Sequence, residues 1–419
     1  MPFEGFGLHP QLVKAIRALG YTRPTPIQAE VIPAGLGGRD LIGSAPTGTG
    51  KTAAFLLPIL QRMITGTPVG KTRVLVMVPT RELAVQVEEN LRSLAKHASV
   101  RSMAIYGGVG MEPQVQALRS GVAVVLATPG RLLDHLRRGN ARLDSLEVLI
   151  LDEADRMLDM GFLPDIRNII KTIPWQRQTM LFSATMSSEI LQLAREILHN
   201  PLKFKVGGKE KTAVGIRHAA YPVAQHLKTE LLLTLLRELA MPSVLVFTRT
   251  RNRADRLARM LERDGFKTGR LHASRTQSQR LAALKAFQRG HLQVLVATDL
   301  AARGIDVEKI SHVINFDIPN TPEDYIHRVG RTARMEALGD AFTLVSPEEE
   351  KTLRLIEQSL GPALPRITLP DFNYRAMHLA KNTPGAPADG HKKKGRFLDQ
   401  PLRDAKRREN RRTRSKRPH

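Results

Sequence analysis

Cysteine is absent from this 419-residue chain. Without thiols the protein cannot form disulfides, bind zinc through thiolates or use a cysteine nucleophile. Long apolar runs are absent too, since none approaches the ~20 residues that span a bilayer. The segment "MPFEGFGLHPQ" lacks the charged and apolar regions of a secretory signal. We therefore expect a cytoplasmic protein that does not enter a membrane.

Acidic and aromatic residues are scarce. The chain has 40 Asp and Glu against 64 Lys and Arg, which gives a net charge of +24. Residues 391–419 contain 13 Lys or Arg and three Asp or Glu, so the other 390 residues still carry +14. A basic tail can be a solubilising extension, but a basic body as well favours a polyanion. We predict nucleic acid as the partner, because the tail lacks the apolar face that suits a membrane surface.

Short apolar runs alternate with segments of helical spacing, such as residues 80–96. This alternation predicts parallel sheets with helices on both faces. We predict two doubly wound α/β domains, residues 1–206 and 217–372, joined by a polar linker at 207–216. Residues 373–419 have too few apolar side chains to fold and are predicted to be a disordered basic tail. The runs interpreted as buried strands are 73–79, 122–129, 148–155, 179–185, 243–250, 292–299 and 312–319.

The segment "SAPTGTGKT", residues 44–52, is typical of a phosphate-binding loop between a strand and a helix. Glycines let backbone N–H groups converge on phosphate oxygens, and the helix N-terminus adds positive charge. Lys51 would reach the β- and γ-phosphates, and the Thr52 hydroxyl would bind Mg²⁺. The usual first glycine is Ala45 here, so a glycine-rich turn with an incidental lysine is the alternative. The predicted loop residues are Thr47, Gly48, Thr49, Gly50, Lys51 and Thr52.

Two carboxylates follow the apolar run of "VLILDEAD", residues 148–155. Asp152 can hold magnesium, usually through water, and Glu153 can orient or deprotonate an attacking water. Asp155 alone could be a helix N-cap. Together with Lys51 and Thr52, these acids predict a nucleoside triphosphatase.

These motifs, with those that follow along the chain, resemble the DEAD-box ATP-dependent RNA helicases. The likeness extends over about residues 3–345, and the ending "LPRITLPDFNY" further resembles the bacterial RhlE-type branch. It implies two tandem RecA-like domains, RNA-stimulated ATP hydrolysis with ATP and Mg²⁺, and a monomer that acts on RNA single strands and short duplexes. Ribosomal and RNA-decay complexes are the partners that relatives suggest. The motifs are "APTGTGKT", "PTRELA", "TPGR", "DEAD", "SAT", "ATDLAARGID" and "HRVGRTAR".

The segment "GYTRPTPIQ", residues 20–28, resembles the family's adenine-recognising motif. The amide of Gln28 can both donate to and accept from adenine. The resemblance implies that Tyr21 stacks on the base and that Phe3 braces Tyr21. Ordinary core packing is the alternative for both rings.

The segment "HRVGRTAR", residues 327–334, resembles the family's arginine fingers. Arg331 and Arg334 would reach the γ-phosphate from the second domain when the domains close, which in other phosphoryl-transfer enzymes is worth about 10³–10⁵ in rate. Asp306 would contact the ribose. Ala333 stands where glycine is frequent, and its added methyl should be tolerated. The residues that the resemblance assigns to coupling between the ATP and RNA sites are Asp155, Ser183, Thr185, His327 and Arg328, with a purely structural role as the alternative for His327.

RNA contacts are implied by the same resemblance. Hydroxyls, glycine N–H groups and guanidinium groups suit phosphate and 2′-OH recognition, which carries no sequence information. The low aromatic content, 5%, gives no sign of base stacking and favours this backbone recognition. Each residue could instead be a helix cap or an ion pair, and Arg280 could lie on a solvated helix face. The implied residues are Thr80, Arg81, Gly108, Thr128, Arg131, Arg249, Arg280 and Thr298.

Two other functions are compatible with parts of the pattern. A translocating DNA or RNA motor could carry a similar phosphate loop and arginine fingers, and processive unwinding or equal stimulation by DNA would select it. An RNA-binding clamp with incidental ATP hydrolysis would show negligible RNA-stimulated turnover. The presence of Lys51, Glu153 and Arg331 together disfavours the clamp.

Deletion of residues 391–419 should weaken RNA binding and flatten its salt dependence. On single strands, the slope of log K against log salt should fall by about 0.7 for each phosphate that the tail no longer neutralises. RNA affinity at several salt concentrations measures this slope. A full-length control with the 13 basic residues replaced by Gln should reproduce the deletion. An unchanged slope would make the tail a solubilising extension only.

Overall fold

The computed structural model describes residues 2–45, 49–66, 70–205, 216–302, 310–332 and 339–375. Four predicted site residues lie outside these ranges: Thr47, Gly48, Asp306 and Arg334. So do most of the predicted linker and the tail from residue 376 onward. Within the described ranges, no helix is long and apolar enough to cross a membrane.

The first part of the chain forms a seven-stranded sheet in the order β3-β4-β2-β5-β6-β1-β7. Every strand pair in it is parallel. The elements in chain order are α1 (Pro10–Ala18), α2 (Pro26–Leu36), β1 (Leu41–Ser44), α3 (Lys51–Thr65), β2 (Val74–Met77), α4 (Arg81–Leu94), β3 (Ser102–Ile105), α5 (Glu112–Arg119), β4 (Val124–Ala127), α6 (Pro129–Arg137), β5 (Val148–Leu151), α7 (Ala154–Asp159), α8 (Leu163–Ile170), β6 (Gln178–Ser183), α9 (Ser188–Ile197) and β7 (Leu202–Lys205).

The second part forms a six-stranded sheet in the order β10-β11-β9-β12-β13-β8. Its strand pairs are parallel as well. The elements are β8 (Ile216–Pro222), α10 (Lys228–Glu238), β9 (Val244–Thr248), α11 (Arg251–Arg263), β10 (Thr268–Leu271), α12 (Gln277–Gln288), β11 (Val294–Thr298), α13 (Asp299–Ala302), β12 (His312–Asn315), α14 (Pro322–Val329), β13 (Gly339–Val345) and α15 (Glu350–Leu360).

The predicted fold class, two parallel α/β sheets, is confirmed, and each of the seven predicted strand runs overlaps an observed strand. We call the parts that carry these sheets the first and second domains. The described residues all belong to one compact unit. The domain boundaries at 206 and 217 stay predictions.

The central strands are apolar throughout because both faces of each sheet are covered. Val74 and Val76 of β2 pack into one core of the first domain, whereas Leu75 and Met77 pack into the core on the other face. Successive side chains of a strand point to opposite faces, so a continuous apolar run supplies two cores. The polar residues that end such runs therefore gather at one edge of the sheet.

At the opposite, amino-terminal edge of the first sheet, Asp40 connects three segments of the chain. Its carboxylate is 7% exposed and accepts the backbone N–H groups of Thr179, at 2.7 Å, and His199, at 2.6 Å. Both donors lose their partner if the carboxylate is removed.

Asp40→Ala should lower the free energy of unfolding by about 3 kcal/mol, because a buried, charge-assisted acceptor of two backbone N–H groups disappears. Urea unfolding measures this change. Asp144→Ala is the matched control: its pair with Lys71, at 3.4 Å, joins side chains that are 61% and 56% exposed. That variant should lose less than about 1 kcal/mol. Equal losses in the two variants would contradict the role of Asp40.

Candidate nucleotide and RNA sites

The carboxyl ends of β1, β5 and β6 meet at one edge of the first sheet, because these strands are neighbours in it. Ala45 follows β1, Asp152 and Glu153 follow β5, and Ser183 ends β6. In doubly wound sheets, ligands bind at this edge.

The described end of the phosphate loop is held by side chains from the N-cap and first turn of α2. The Thr25 hydroxyl donates to the Thr49 carbonyl at 2.8 Å, and the Gln28 amide donates to the Gly50 carbonyl at 3.1 Å. Gly50 has φ +89°, and a Cβ there would lie 2.5 Å from Gln28 Nε2. This position therefore requires glycine. Lys51 is 6% exposed and donates to the Ala45 carbonyl at 2.5 Å.

Gln28 uses both ends of its amide inside the protein. Its Oε1 accepts the Thr25 N–H at 2.9 Å, which completes a capping box at the start of α2. The amide nitrogen has a second N–H and the oxygen a second lone pair, so contact with adenine is chemically compatible with both bonds, and that role stays a prediction. The role of Thr25 was missed, although "TPIQ" carries the capping-box pattern that could have revealed it.

The two predicted aromatic residues lie together. Phe3 is 2% exposed, whereas Tyr21 is 39% exposed. Their ring centroids are 6.4 Å apart with 27° between the ring planes. Phe3 thus braces the more exposed ring, and the stacking of Tyr21 on a base stays a prediction.

The two acids after β5 are buried. Asp152 accepts the Glu153 N–H at 3.0 Å, and Glu153 accepts a bond from the Arg156 guanidinium at 2.7 Å. Glu153 has φ +53°, an uncommon conformation for a residue with a side chain and one that costs of order 1–3 kcal/mol. This turn sends the chain directly from β5 into α7. Arg156 was missed, although its i,i+3 spacing from Glu153 is a local pairing pattern that could have revealed it.

Burial acts in the same direction on the pKa of both acids, but neighbouring cations offset it to different extents. It raises the pKa of Asp152 to about 6, although Lys51 acts in the opposite direction. Burial alone would also raise the pKa of Glu153, but Arg156, Arg331 and Lys51 hold it below its usual value. Glu153 is therefore ionised at neutral pH.

Arg331 brings a charge from the second domain to these acids. It is 2% exposed and donates to the His327 carbonyl at 3.1 Å. Burial and the neighbouring Arg156 lower the pKa of Arg331 to about 10, while Glu153 opposes that shift. The structure thus places a second-domain guanidinium beside the first-domain acids.

Asp155 connects α7 to the end of β6. One carboxylate oxygen accepts bonds from the N–H of Ala184 at 3.1 Å, and from the N–H and hydroxyl of Thr185 at 2.8 and 3.1 Å. The Asp155 N–H donates to the Ser183 hydroxyl at 3.2 Å. The predicted coupling residues of the first domain therefore form one network.

The two predicted coupling residues of the second domain have different surroundings. His327 and Asp155 line the same cavity of about 780 Å³. Burial and Arg156 lower the pKa of His327 to about 4. Arg328 instead pairs with Asp299 of its own domain, at 2.5 and 2.7 Å. Coupling of Arg328 to Asp155 is therefore not direct in this structure.

Three predicted RNA contacts of the first domain lie at one loop. Gly108 has φ +82°, and a Cβ there would lie 2.0 Å from the Arg81 guanidinium. Arg131 donates to the Val109 carbonyl at 3.3 Å. The buried Thr80 accepts the Leu83 N–H at 3.3 Å and caps α4, which fits the structural alternative. Thr128, also buried, precedes α6.

Arg249 and Thr298 lie at the carboxyl ends of neighbouring strands in the second domain. The Arg249 N–H donates to the Asp317 carboxylate at 2.8 Å, and its guanidinium lies 3.6 Å from the Glu349 carboxylate. The Arg249 side chain stays 51% exposed. The backbone of Arg249 is therefore fixed by a hydrogen bond, while about half of its side chain remains accessible to a ligand.

Arg280 joins the two domains. Its guanidinium lies 3.0 Å from the Glu82 carboxylate of the first domain, and its side chain is 12% exposed. Gln277 donates to the same carboxylate at 2.8 Å. The alternative of a solvated helix face for Arg280 is therefore wrong. Glu82 and Gln277 were missed, since the acid in "PTRELA" is equally typical of a helix first turn.

Comparisons with known proteins identify the family of this chain. The family DEAD/DEAH box helicase matches residues 25–193, and the helicase conserved C-terminal domain matches residues 227–336. The ATP-dependent RNA helicase CshA of Listeria monocytogenes is 42% identical over 371 residues, which is 88% of this chain and 71% of that protein. The DEAD-box ATP-dependent RNA helicase CshA of Bacillus subtilis is 41% identical over 371 residues, covering 88% and 75%.

Comparison with solved structures indicates the same family. Dbp5 of S. cerevisiae, bound to RNA and ADP BeF3, has a TM-score of 0.80 and 30% identity over 87% of this chain and 95% of that chain. A DEAD box protein from Methanococcus jannaschii has a TM-score of 0.53 and 36% identity, covering 88% and 99%. From its motifs, its two sheets and these relatives, the chain belongs to the DEAD-box ATP-dependent RNA helicase family.

Proposed function

We propose that ATP hydrolysis takes place in a centre that is complete only when the second domain brings Arg331 to Glu153. The observation that carries this proposal is the burial of Arg331, 2% exposed, beside two first-domain side chains, Glu153 and Arg156. A finger of this kind stabilises the charge that builds on the transferred phosphoryl group. Arg334, the second finger in the motif, belongs to this proposal on sequence grounds alone.

The residues at the nucleotide edge fit a magnesium ion with ATP. Thr52 and Asp152 offer hydroxyl and carboxylate oxygens, and Mg²⁺ in ATPases commonly takes one or two protein oxygens besides phosphate and water. The raised pKa of the buried Asp152 means that a cation there would relieve a destabilised carboxylate. A bound Mg²⁺ would neutralise charge on the β- and γ-phosphates.

Each protein group then has a separate task. Lys51 exchanges the Ala45 carbonyl for phosphate oxygens, and the backbone of the loop cradles the rest of the triphosphate. Glu153 accepts a hydrogen bond from the attacking water and orients it in line with the γ-phosphate. Arg156 keeps Glu153 ionised and fixes its direction through the 2.7 Å bond.

RNA is held by its backbone across both domains. Arg81, Gly108 and Arg131 present guanidinium and N–H donors at one first-domain loop, and Arg249 and Thr298 present donors from the second domain. Dbp5 bound to RNA and ADP BeF3 resembles this chain at a TM-score of 0.80, which supports a closed arrangement of this kind. Closing on a bent strand would separate a short duplex locally, without travel along it.

The proposal also covers the branch of the family, the oligomeric state, the location and the cellular partners. The ending "LPRITLPDFNY" favours the RhlE-type branch, whereas the relatives described above carry the name CshA. A monomer in the cytoplasm that acts on ribosomal or RNA-decay complexes is consistent with the family.

Glu153→Gln should abolish RNA-stimulated ATP hydrolysis but retain ATP binding, because the amide keeps the shape and loses the acceptor charge. Turnover should fall by about 10²–10⁴, and RNA complexes formed with ATP should persist. Steady-state phosphate release and nucleotide binding measure the two effects. Lys51→Ala is the contrasting variant, since it should lose nucleotide binding as well. Normal hydrolysis by Glu153→Gln would refute the assigned base.

Arg331→Ala should lower the turnover number by about 10³-fold or more and change ATP affinity little, because the charge acts in the transition state. Phosphate release and equilibrium binding of a fluorescent ATP analogue separate the two. Arg263→Ala, which removes an exposed arginine of α11, is the matched control and should change neither. A loss of affinity as large as the loss of turnover would contradict a finger.

A further inference from the structure

The amino-terminal edge of the first sheet lies opposite the nucleotide edge, about 13 Å away along strands of four residues. Because all strands are parallel, the segments that precede them meet there. Arg39, Lys71 and Arg101 lie one to three residues before β1, β2 and β3, and Trp175 and Arg177 lie within three residues before β6. Hydrogen bonds join these segments, including the Lys71–Asp144 pair at 3.4 Å. We call this surface the rear edge.

The acids of the rear edge are already neutralised. Asp134 pairs with Arg138 at 2.7 Å, Asp144 with Lys71 at 3.4 Å, and Glu147 with Arg73 at 2.5 Å. Asp40 is buried under two backbone N–H groups. The acids therefore leave a surplus of positive charge.

That surplus consists of seven cations for which the described residues provide no carboxylate within 4.0 Å. Arg39, Arg101 and Arg177 donate only to backbone carbonyls, at 3.3, 3.0 and 2.6 Å. The Nε and Nη2 atoms of Arg177 are shielded and have no hydrogen-bond partner among the described residues. The seven cations are Arg39, Arg101, Arg119, Arg137, Arg142, Lys171 and Arg177.

The helix dipole explains only some of these charges. Cations at helix C-termini are stabilised by the dipole, and Arg119, Arg137 and Lys171 lie at or next to the ends of α5, α6 and α8. Arg39 follows the C-cap of α2 by two residues, and Arg101 donates to the carbonyl that follows the C-cap of α5, so the dipole can stabilise these two as well. Arg142 and Arg177 precede β5 and β6 away from any helix end, and a polyanion supplies an explanation for their charge.

Trp175 lies among these charges and is 77% exposed. It is the single tryptophan of the chain. An exposed tryptophan is a ready platform for an unpaired base, since base–aromatic stacking tolerates any sequence. Cations that contact phosphates beside a ring that stacks on a base are the combination that single-stranded RNA requires.

We propose that the rear edge is a second RNA-binding site, which holds phosphates through its unpaired arginines and lysine and stacks a base on Trp175. Its occupant is single-stranded RNA next to the segment that is bound between the domains. Within the described part of the chain, no hydrogen bond or ion pair joins the rear edge to the ATP centre, so this site binds RNA equally well with and without nucleotide. The helicase thereby keeps a hold on RNA when the domains separate.

Tryptophan fluorescence of the full chain tests the proposal, because all tryptophan emission comes from position 175. Titration with a short oligouridylate should quench the emission saturably, with the same midpoint in the presence and absence of a non-hydrolysable ATP analogue. The double variant Arg142→Ala/Lys171→Ala should raise the midpoint about tenfold and lower the salt slope by about 1.4, because two fewer phosphates are neutralised. Lys14→Ala/Arg263→Ala removes equivalent exposed charges elsewhere and should match the parent protein.

Three outcomes would overturn the proposal. One is unchanged emission while the anisotropy of labelled RNA reports binding. Another is quenching that the double variant leaves unaltered. The third is quenching by polyglutamate and not by RNA, which would identify an acidic protein as the partner. RNA-stimulated ATP hydrolysis in the same samples should be normal in the double variant, so failure of the rear edge and failure of the helicase centre can be told apart.

Discussion

The buried pair of Glu153 and Arg156 is the interaction on which the rest of the catalytic centre depends. A carboxylate this deep needs a cation, and the 2.7 Å bond to Arg156 provides one. Arg331 then arrives from the second domain as an additional positive charge. With Lys51 the centre contains three cations, which offset the three buried acids Asp152, Glu153 and Asp155. Donors that are fixed in place before the reaction can stabilise charge on a transferred phosphoryl group, and here both domains contribute them.

The backbone around this pair is shaped to bring side chains close together. Glu153 takes a left-handed conformation so that β5 passes directly into α7, and Asp155 then reaches the end of β6. Gly50 and Gly108 have no room for a Cβ, because Gln28 and Arg81 pack on them. In each case a strained or bare backbone position lets a functional side chain occupy the space, which agrees with the concentration of such conformations at functional sites.

Much of the fold could be predicted from the sequence, because buried parallel strands are read directly from apolar runs. The phosphate loop and the acids after β5 are local patterns that can be recognised in the sequence. The strand order of the structure then brings them to the same edge of the first sheet. Contacts between distant segments could not be predicted in this way. Glu82 and Gln277 are 195 residues apart, and nothing local to either one indicates that they meet. His327 and Arg328 are adjacent in "HRVGRTAR", yet consecutive residues on a helix project about 100° apart. They accordingly serve different partners.

The two sets of contacts between the domains explain how ATP and RNA can act on each other. Arg331 lies close enough to Glu153 for each to shift the pKa of the other, while Gln277 and Arg280 contact Glu82, which directly follows the proposed RNA contact Arg81. Each domain is built on one continuous sheet, so forming one set of contacts brings the partners of the other set together. ATP and RNA that both prefer the closed arrangement must therefore raise each other's affinity by the same factor. Coupling of this kind needs no continuous path of residues from one site to the other. It requires only that both ligands favour the same arrangement of two rigid parts.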